Sequence, residues 1–480
     1  MAAEKFKRKL KAILSGATLG PLKEAGLKCW RKTPTILKAL ATLVIALNAA
    51  WQLYSRVISP SSVTSPKEKA SVVSREKMAL PIPDQPSIAV LPFVNLSGDP
   101  KQEFLCDGMT EEIITALSKV PRLLVIARSS TDTYKGKPVK VKQVSEELGV
   151  QYVLEGGLQR SGDRLRMTVQ LIDAFTGNHL WAERYDRDLK DIFALQDEIT
   201  LKILTGIQVK LKDAGRTIGY EKYYKGKKQG VDAYLKMLEA TDYMDRLNIE
   251  DNVLARQLIE ESIAMCPESP IGYTKLGWTY KRDYQMNNTT SPQETLNKSM
   301  ELAQKALAID DSMPMAHALL CSLYSIKGEH DKAITEGSRA VSLAPNGTSP
   351  LDNYAGALNY AGKPEEAIPV FQKSIRLNPF GPSFLYRDFG AALWSAGRFE
   401  EAVSALKKAI ELAPNNIGAH INLAVTYNMM GREKEARNEA AEVLRINPKF
   451  LVASYAQVLQ YKDPSKKDNI LNALRSARLK

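Results

Sequence analysis

The chain has 480 residues, 44% of them hydrophobic and 25% charged, a globular balance that excludes a wholly disordered or collagen-like polymer. Lys and Arg number 66 against 54 Asp and Glu, a net +12, yet residues 1–38 alone hold ten cations and two acids. The remainder is near balance, which argues against a nucleic-acid-binding body with a continuous basic face. Cys29, Cys106, Cys266 and Cys321 stand far apart with no CxxC pair. Neither a zinc site nor a disulfide framework is expected, and no cofactor is implied.

The basic segment 1–38 leads into an uncharged stretch, residues 39–55, followed by Arg56. It lies near the lower length limit for a spanning helix, about 20 residues being typical. Trp51 and Tyr54 at one end fit an interfacial aromatic belt; a cleaved signal peptide and a buried core helix are the alternatives. The expectation is a single transmembrane helix over 39–58. Charge asymmetry across it predicts a cytoplasmic N-terminus and export of everything beyond, into the periplasm of a bacterium. Residues 59–86, rich in Ser, Pro and Lys, read as a flexible linker.

Residues 87–212 read as an α+β module of order β-α-β-α-β-β-β-α. Ile88–Phe93 is a short apolar run closed by proline, and Leu123–Ala127 supplies a second strand. Leu165, Met167, Val169 and Leu171 alternate with Arg166, Thr168 and Gln170, the signature of a half-buried strand. Asp173, Glu183, Asp186, Asp188 and Asp191 gather near the last hairpin and read as turn and helix caps rather than metal ligands. Trp181 reads as core, and nothing in the module reads as catalytic.

Pro345, Pro379, Pro414 and Pro448 recur at a spacing near 34 residues. Each is preceded at fixed distances by a glycine (Gly328, Gly362, Gly397, Gly431) and an alanine (Ala333, Ala367, Ala402, Ala436). This period identifies tetratricopeptide (TPR) repeats, about six over 231–450, with 451–480 as C-terminal capping helices. Two upstream units, around Val231–Pro267 and Tyr273–Ala306, are degenerate. Stacked hairpins make an all-α superhelical solenoid whose first helices line a groove suited to proteins or peptides. Groove candidates are Lys275, Trp278, Lys281, Arg282, Asn353, Tyr360, Arg387, Trp394, Asn422 and Asn428. His317, His330 and His420 are too scattered for a ligand set, and Cys321 falls on a small-residue packing position.

The segments PSIAVLPFVNLSGDP, FLCDGMTEEIITALSKVPRLLVIARSSTDTYKGKPV and VSEELGVQYVLEGGLQRSGDRLRMTVQLIDAFTGNHLWAERYDRDLKDIFALQDEIT, with the repeats, resemble the C-terminal half of bacterial class III adenylate/guanylate cyclases. The resemblance implies a membrane helix, a TolB-like α/β domain and a TPR array. Phe6 to Ser15 also resembles the opening of that family's cyclase domain, but Gly16 and Ala17 follow where the family places Ala-Asp. The remaining cyclase residues are not found before Cys29-Trp30, and two-metal chemistry needs carboxylates absent from the basic head. The expectation is a non-enzymatic, membrane-anchored sensor or scaffold. The alternatives are a partner acting in trans on an intact class III cyclase and an envelope-complex assembly factor. A reporter enzyme fused after residue 80 is expected to be active in the periplasmic compartment; activity only in the cytoplasm would overturn the orientation.

Overall fold

The computed structural model describes residues 78–207, 221–224, 227 and 229–480. The basic head, the expected membrane helix and linker residues 59–77 lie outside the described residues. No helix among those described is long and apolar enough to cross a membrane.

The α/β module is built on β1 (Ser87–Val90), β2 (Val94–Asn95), β3 (Leu124–Val125), β4 (Tyr152–Ser161), β5 (Arg164–Asp173) and β6 (His179–Asp188). They form one mixed sheet in the order β3-β1-β4-β5-β6, with β2 continuing alongside β4. β1 is parallel to both β3 and β4, so it is covered on both faces, and Ile88, Ala89 and Val90 are fully buried. β5 is antiparallel to β4 and β6, and its alternation puts Leu165, Met167, Val169 and Leu171 inside. Gly156 of β4 has no room for a side chain: a Cβ there would lie 2.2 Å from the Thr168 carbonyl oxygen. Helices α1 (Glu103–Ser118), α2 (Arg128–Thr131), α3 (Val141–Leu148) and α4 (Ile192–Gly206) connect and cover the sheet.

After the short α5 (Glu221–Tyr224), twelve helices form six antiparallel pairs. These are α6 (Gly230–Asp245) with α7 (Ile249–Met265), α8 (Pro270–Gln285) with α9 (Pro292–Ile309), and α10 (Pro314–Ile326) with α11 (His330–Leu343). Then come α12 (Thr348–Tyr360) with α13 (Pro364–Leu377), α14 (Ser383–Ser395) with α15 (Phe399–Leu412), and α16 (Ile417–Met429) with α17 (Glu433–Ile446). The periodic residues have direct physical reasons. Gly328, Gly362, Gly397 and Gly431 adopt φ of +74°, +83°, +78° and +72° in the turn inside each hairpin, a region that strains other residues. Ala333, Ala367, Ala402 and Ala436 are wholly buried where the two helices touch. First helices contact one another from repeat to repeat, whereas second helices pack on first helices, so the first helices form the inner wall.

The described residues of the module and the array fall in one compact unit rather than beads on a string. Phe193 of α4 stacks edge-on against Tyr234 of the first repeat at 4.8 Å, with Tyr224 alongside. On the opposite side of the sheet, Leu351 and Leu377 of the fourth repeat join Ala89, Ile126 and Val153 in a second cluster. Polar contacts pin the same seam. Asn346 donates from Nδ2 to the carbonyls of Val120 and Leu123, both at 2.8 Å, and its backbone N–H reaches Ser118. Ala127 donates to the Leu377 carbonyl, and Arg376 donates to the carbonyls of Leu148 and Gly149.

The C-terminal helices α18 (Val452–Val458) and α19 (Pro464–Ser476) follow. Only α19 acts as an end cap, packing on α16; the chain before it turns back along the array, a departure from plain capping. Replacing Asn346 by Ala removes two buried hydrogen bonds and leaves the Leu123 carbonyl unpaired, and is expected to cost about 2–3 kcal/mol in chemical denaturation. Asn415→Ala, on an exposed turn, is the control and is expected to cost under about 0.5 kcal/mol.

Candidate functional site

The inner wall of the array collects the ten groove candidates, but in three different states. In α8, Lys275 donates to Thr241 Oγ1 at 2.8 Å, and Arg282 donates to the Met244 carbonyl. Lys275 faces the module, lining a small crevice with Asp107, Glu111, Glu112 and Arg128, whereas Arg282 is tied to the first repeat. This end of the groove is therefore filled by the protein itself. Asn353 turns back to the Ser349 carbonyl of its own helix at 2.8 Å.

Trp278, Lys281 and Arg387 form the middle of the wall. The Trp278 indole donates to the Met315 carbonyl, and the Lys281 ammonium sits 4.5 Å from the Trp278 ring centre. Lys281 is 6% exposed. Arg387 forms a two-pronged pair with Asp388 at 2.8 and 3.0 Å. Asn422 and Asn428, further along, are partly exposed and make no side-chain hydrogen bond among the described residues.

Tyr360 and Trp394 are covered by the returning C-terminal segment. Tyr461 packs on Tyr360 at 5.1 Å and on Trp394 at 6.1 Å between ring centres. The Lys462 N–H donates to the Tyr360 carbonyl at 2.8 Å, and Lys466 Nζ donates to the Ser395 carbonyl at 2.7 Å. The sequence carries no periodic mark for this strap, because the residues that contact the array lie outside the repeat.

Two polar features escaped the linear reading as well. Arg128, with 13% of its side chain exposed, lies 3.1 Å from Asp245, 3.3 Å from Asp132, 3.7 Å from Asp107 and 4.0 Å from Glu111. Burial alone would lower the guanidinium's pKa; the surrounding carboxylates, Glu111 and Asp132 foremost, more than reverse this. Burial in turn raises the Glu111 and Asp245 carboxyls. His317 and His420, at equivalent repeat positions, each place Nδ1 on a glutamate of the paired helix, Glu336 at 2.6 Å and Glu439 at 2.7 Å. These clips hold helix pairs together and involve no ligand.

The acids near the last hairpin are similarly committed. Asp186 meets Arg166, Asp188 meets Arg164, Glu183 meets Lys202, and Asp173 accepts from the N–H groups of Phe175 and Thr176. Among the described residues no group of His, Cys, Asp and Glu has the arrangement to hold a metal ion. The Cys321 thiol is buried and pushed up to about 12 by that burial, so it stays protonated and inert.

Electrostatics single out Lys281. Burial pulls its ammonium down to about 8. Cys321 is neutral, Arg282 repels it, and Asp388 is already paired to Arg387. No carboxylate among the described residues forms an ion pair with it. On the same wall, burial raises Asp352 to about 7, opposed by a hydrogen bond from Ser374.

Comparison with known proteins agrees on the array. A tetratricopeptide repeat profile matches residues 393–459, and that of the second domain of HilA/YgeH-like transcriptional regulators matches residues 84–202. A Rhizobium meliloti (strain 1021) protein named "Putative adenylate cyclase 3" is 40% identical over 274 residues, 56% of this chain and 46% of that one. The chain thus spans about half the length of this curated relative. Solved structures similar to the array include YrrB, a TPR protein with an unusual peptide-binding site, at 21% identity over 42% of this chain and 97% of that one, TM-score 0.30. Pseudomonas aeruginosa PilF is 14% identical over 45% and 93%, TM-score 0.35. The C-terminal part of this chain is a TPR solenoid carrying a mixed-sheet module at its start.

A base whose pKa is lowered by folding costs stability below the folded value, and the cost fades as pH rises towards the unfolded value. Lys281→Met is therefore expected to stabilise the protein at pH 7 by about 2 kcal/mol: ~3 from removing the buried charge less ~1 for the lost cation–π contact. The gain should shrink between pH 8 and 10.5 in denaturation at stepped pH. A gain that does not change with pH would contradict this assignment.

Proposed function

We propose that this protein acts by recognition: its TPR groove binds an extended peptide segment of a partner protein and seats a carboxylate against Lys281. The supporting observation is a buried cation stacked on Trp278 with no anion of its own. Burying a charge without a counterion is unfavourable, so such a residue persists where a ligand supplies the missing charge. The partly exposed amides of Asn422 and Asn428 extend the wall for hydrogen bonding to a peptide backbone.

In this reading the segment 39–58 anchors the chain in the inner membrane with the N-terminus in the cytoplasm, and a TolB-like module and the groove work on the other side. The likeness to the Rhizobium meliloti protein over half its length supports a place in cyclase-linked signalling. The chain itself acts without catalysis, and a regulatory role in trans on an intact class III cyclase is the second reading that this likeness favours.

Photo-crosslinkable residues at 422 and 428 are expected to capture a discrete partner in native membranes. Position 407, exposed on an outer helix, should capture none, and Lys281→Met should abolish capture at the groove. Equal capture from 407, or capture indifferent to Lys281, would refute the groove reading. The purified chain given ATP or GTP with Mg²⁺ or Mn²⁺ is expected to yield no cyclic nucleotide; turnover would overturn the non-catalytic role.

A further inference from the structure

The end of the groove at Tyr360 and Trp394 is a formed side-chain pocket with unmet polar demand. Trp394 and Asn359 are each 4% exposed, and Trp394 Nε1 and Asn359 Oδ1 have no hydrogen-bond partner. Buried polar atoms are ordinarily satisfied, and each exception calls for an explanation. Here the residue filling the space is Tyr461, whose phenol lies beside Asn359 and Ser395 and whose ring lies against Tyr360 and Trp394.

Tyr461 enters from a strap with few attachments. Its neighbour Lys462 makes one backbone hydrogen bond, to the Tyr360 carbonyl, and one exposed ion pair, to Asp331 at 3.0 Å. Upstream, Tyr455 stands near Arg387 and Asp388 on the same inner wall. Along the strap Val458 is 59% exposed, whereas Leu459 is 9% exposed and joins the core of the last repeats. An exposed ion pair adds little, so the Tyr461 ring and the Leu459 side chain are the main anchors. The strap thus leaves its short helix at Val458 and crosses the inner wall as an irregular segment, turning Leu459 and Tyr461 inward and leaving Val458 in water.

We propose that the Tyr360–Trp394 pocket is a tyrosine-recognition subsite of the groove, occupied by residues 455–463 as an internal ligand. A partner segment carrying tyrosine followed by lysine displaces the strap. The pocket sets that chemistry: two aromatic walls for the ring, the Asn359 and Ser395 side chains beside the phenol, and Asp331 outside for the cation. Tethering gives the strap a high effective concentration, so a free segment competes poorly until the strap is loosened. The proposal rests on the groove reading given above, and adds to it the side chain recognised and the means by which the groove is kept closed.

The test uses a fluorescein-labelled peptide of residues 457–465, QVLQYKDPS, titrated into the full chain in detergent. Tyr461→Ala protein is expected to bind it at least tenfold more tightly than wild type. The same peptide with its tyrosine replaced by alanine should bind neither. Equal binding to both proteins, or no binding to a Tyr461→Ala protein whose circular dichroism matches wild type, would overturn the proposal. So would concentration-dependent self-association of wild type that Tyr461→Ala abolishes, because the pocket would then serve a second copy. None of these results alters crosslinking at 422 and 428, so the strap idea and the groove reading fail separately.

Discussion

A stack of helical hairpins leaves apolar surface open at each end and along its inner wall, and this chain covers both with its own segments. At the first end, Tyr234 and Met237 are buried against the module, with Phe193 and Tyr224 completing the cluster. At the last end, α19 covers α16 with Ile470, Leu471 and Leu474. Each repeat relies on its neighbour for burial, so the two terminal closures set the stability of the whole array.

The module does more than close an end. Its contacts run from the first repeat to the loop after the fourth, through Arg128, Asn346, Leu377 and Asn378. The Asn378 carboxamide oxygen alone accepts from the hydroxyls of Ser129 and Ser130. Such a seam fixes the curvature of the first four repeats, because a loop held by buried hydrogen bonds cannot shift without losing them. The groove that remains is short, bounded by the module on one side and the strap on the other, with Lys281 and Arg387 between.

That remainder carries the functional argument. Lys281, Asp352, Trp394 Nε1 and Asn359 Oδ1 are groups whose burial lowers stability in isolation. They cluster on the inner wall while the outer helices carry paired surface charges such as Arg398 with Glu401 and Arg432 with Glu435.

Much of the architecture was legible in the residues alone. Turn glycines, buried alanines and terminating prolines obey local rules of backbone and helix packing, so they announce four hairpins, and two degenerate ones before them, without reference to anything distant. The alternation of Leu165 to Leu171 announced a half-buried strand for the same reason. What no local rule carries is which surfaces meet. Asn346 reaching Val120 across more than two hundred residues, Arg128 gathering acids from both parts, and Tyr461 returning to Trp394 depend on how the superhelix bends. The same holds for the groove candidates: repeat position put Lys275, Lys281 and Trp394 on one wall. Only three-dimensional packing decided that the first is tied to the first repeat beside the module, the second forms no ion pair among the described residues, and the third lies under the strap.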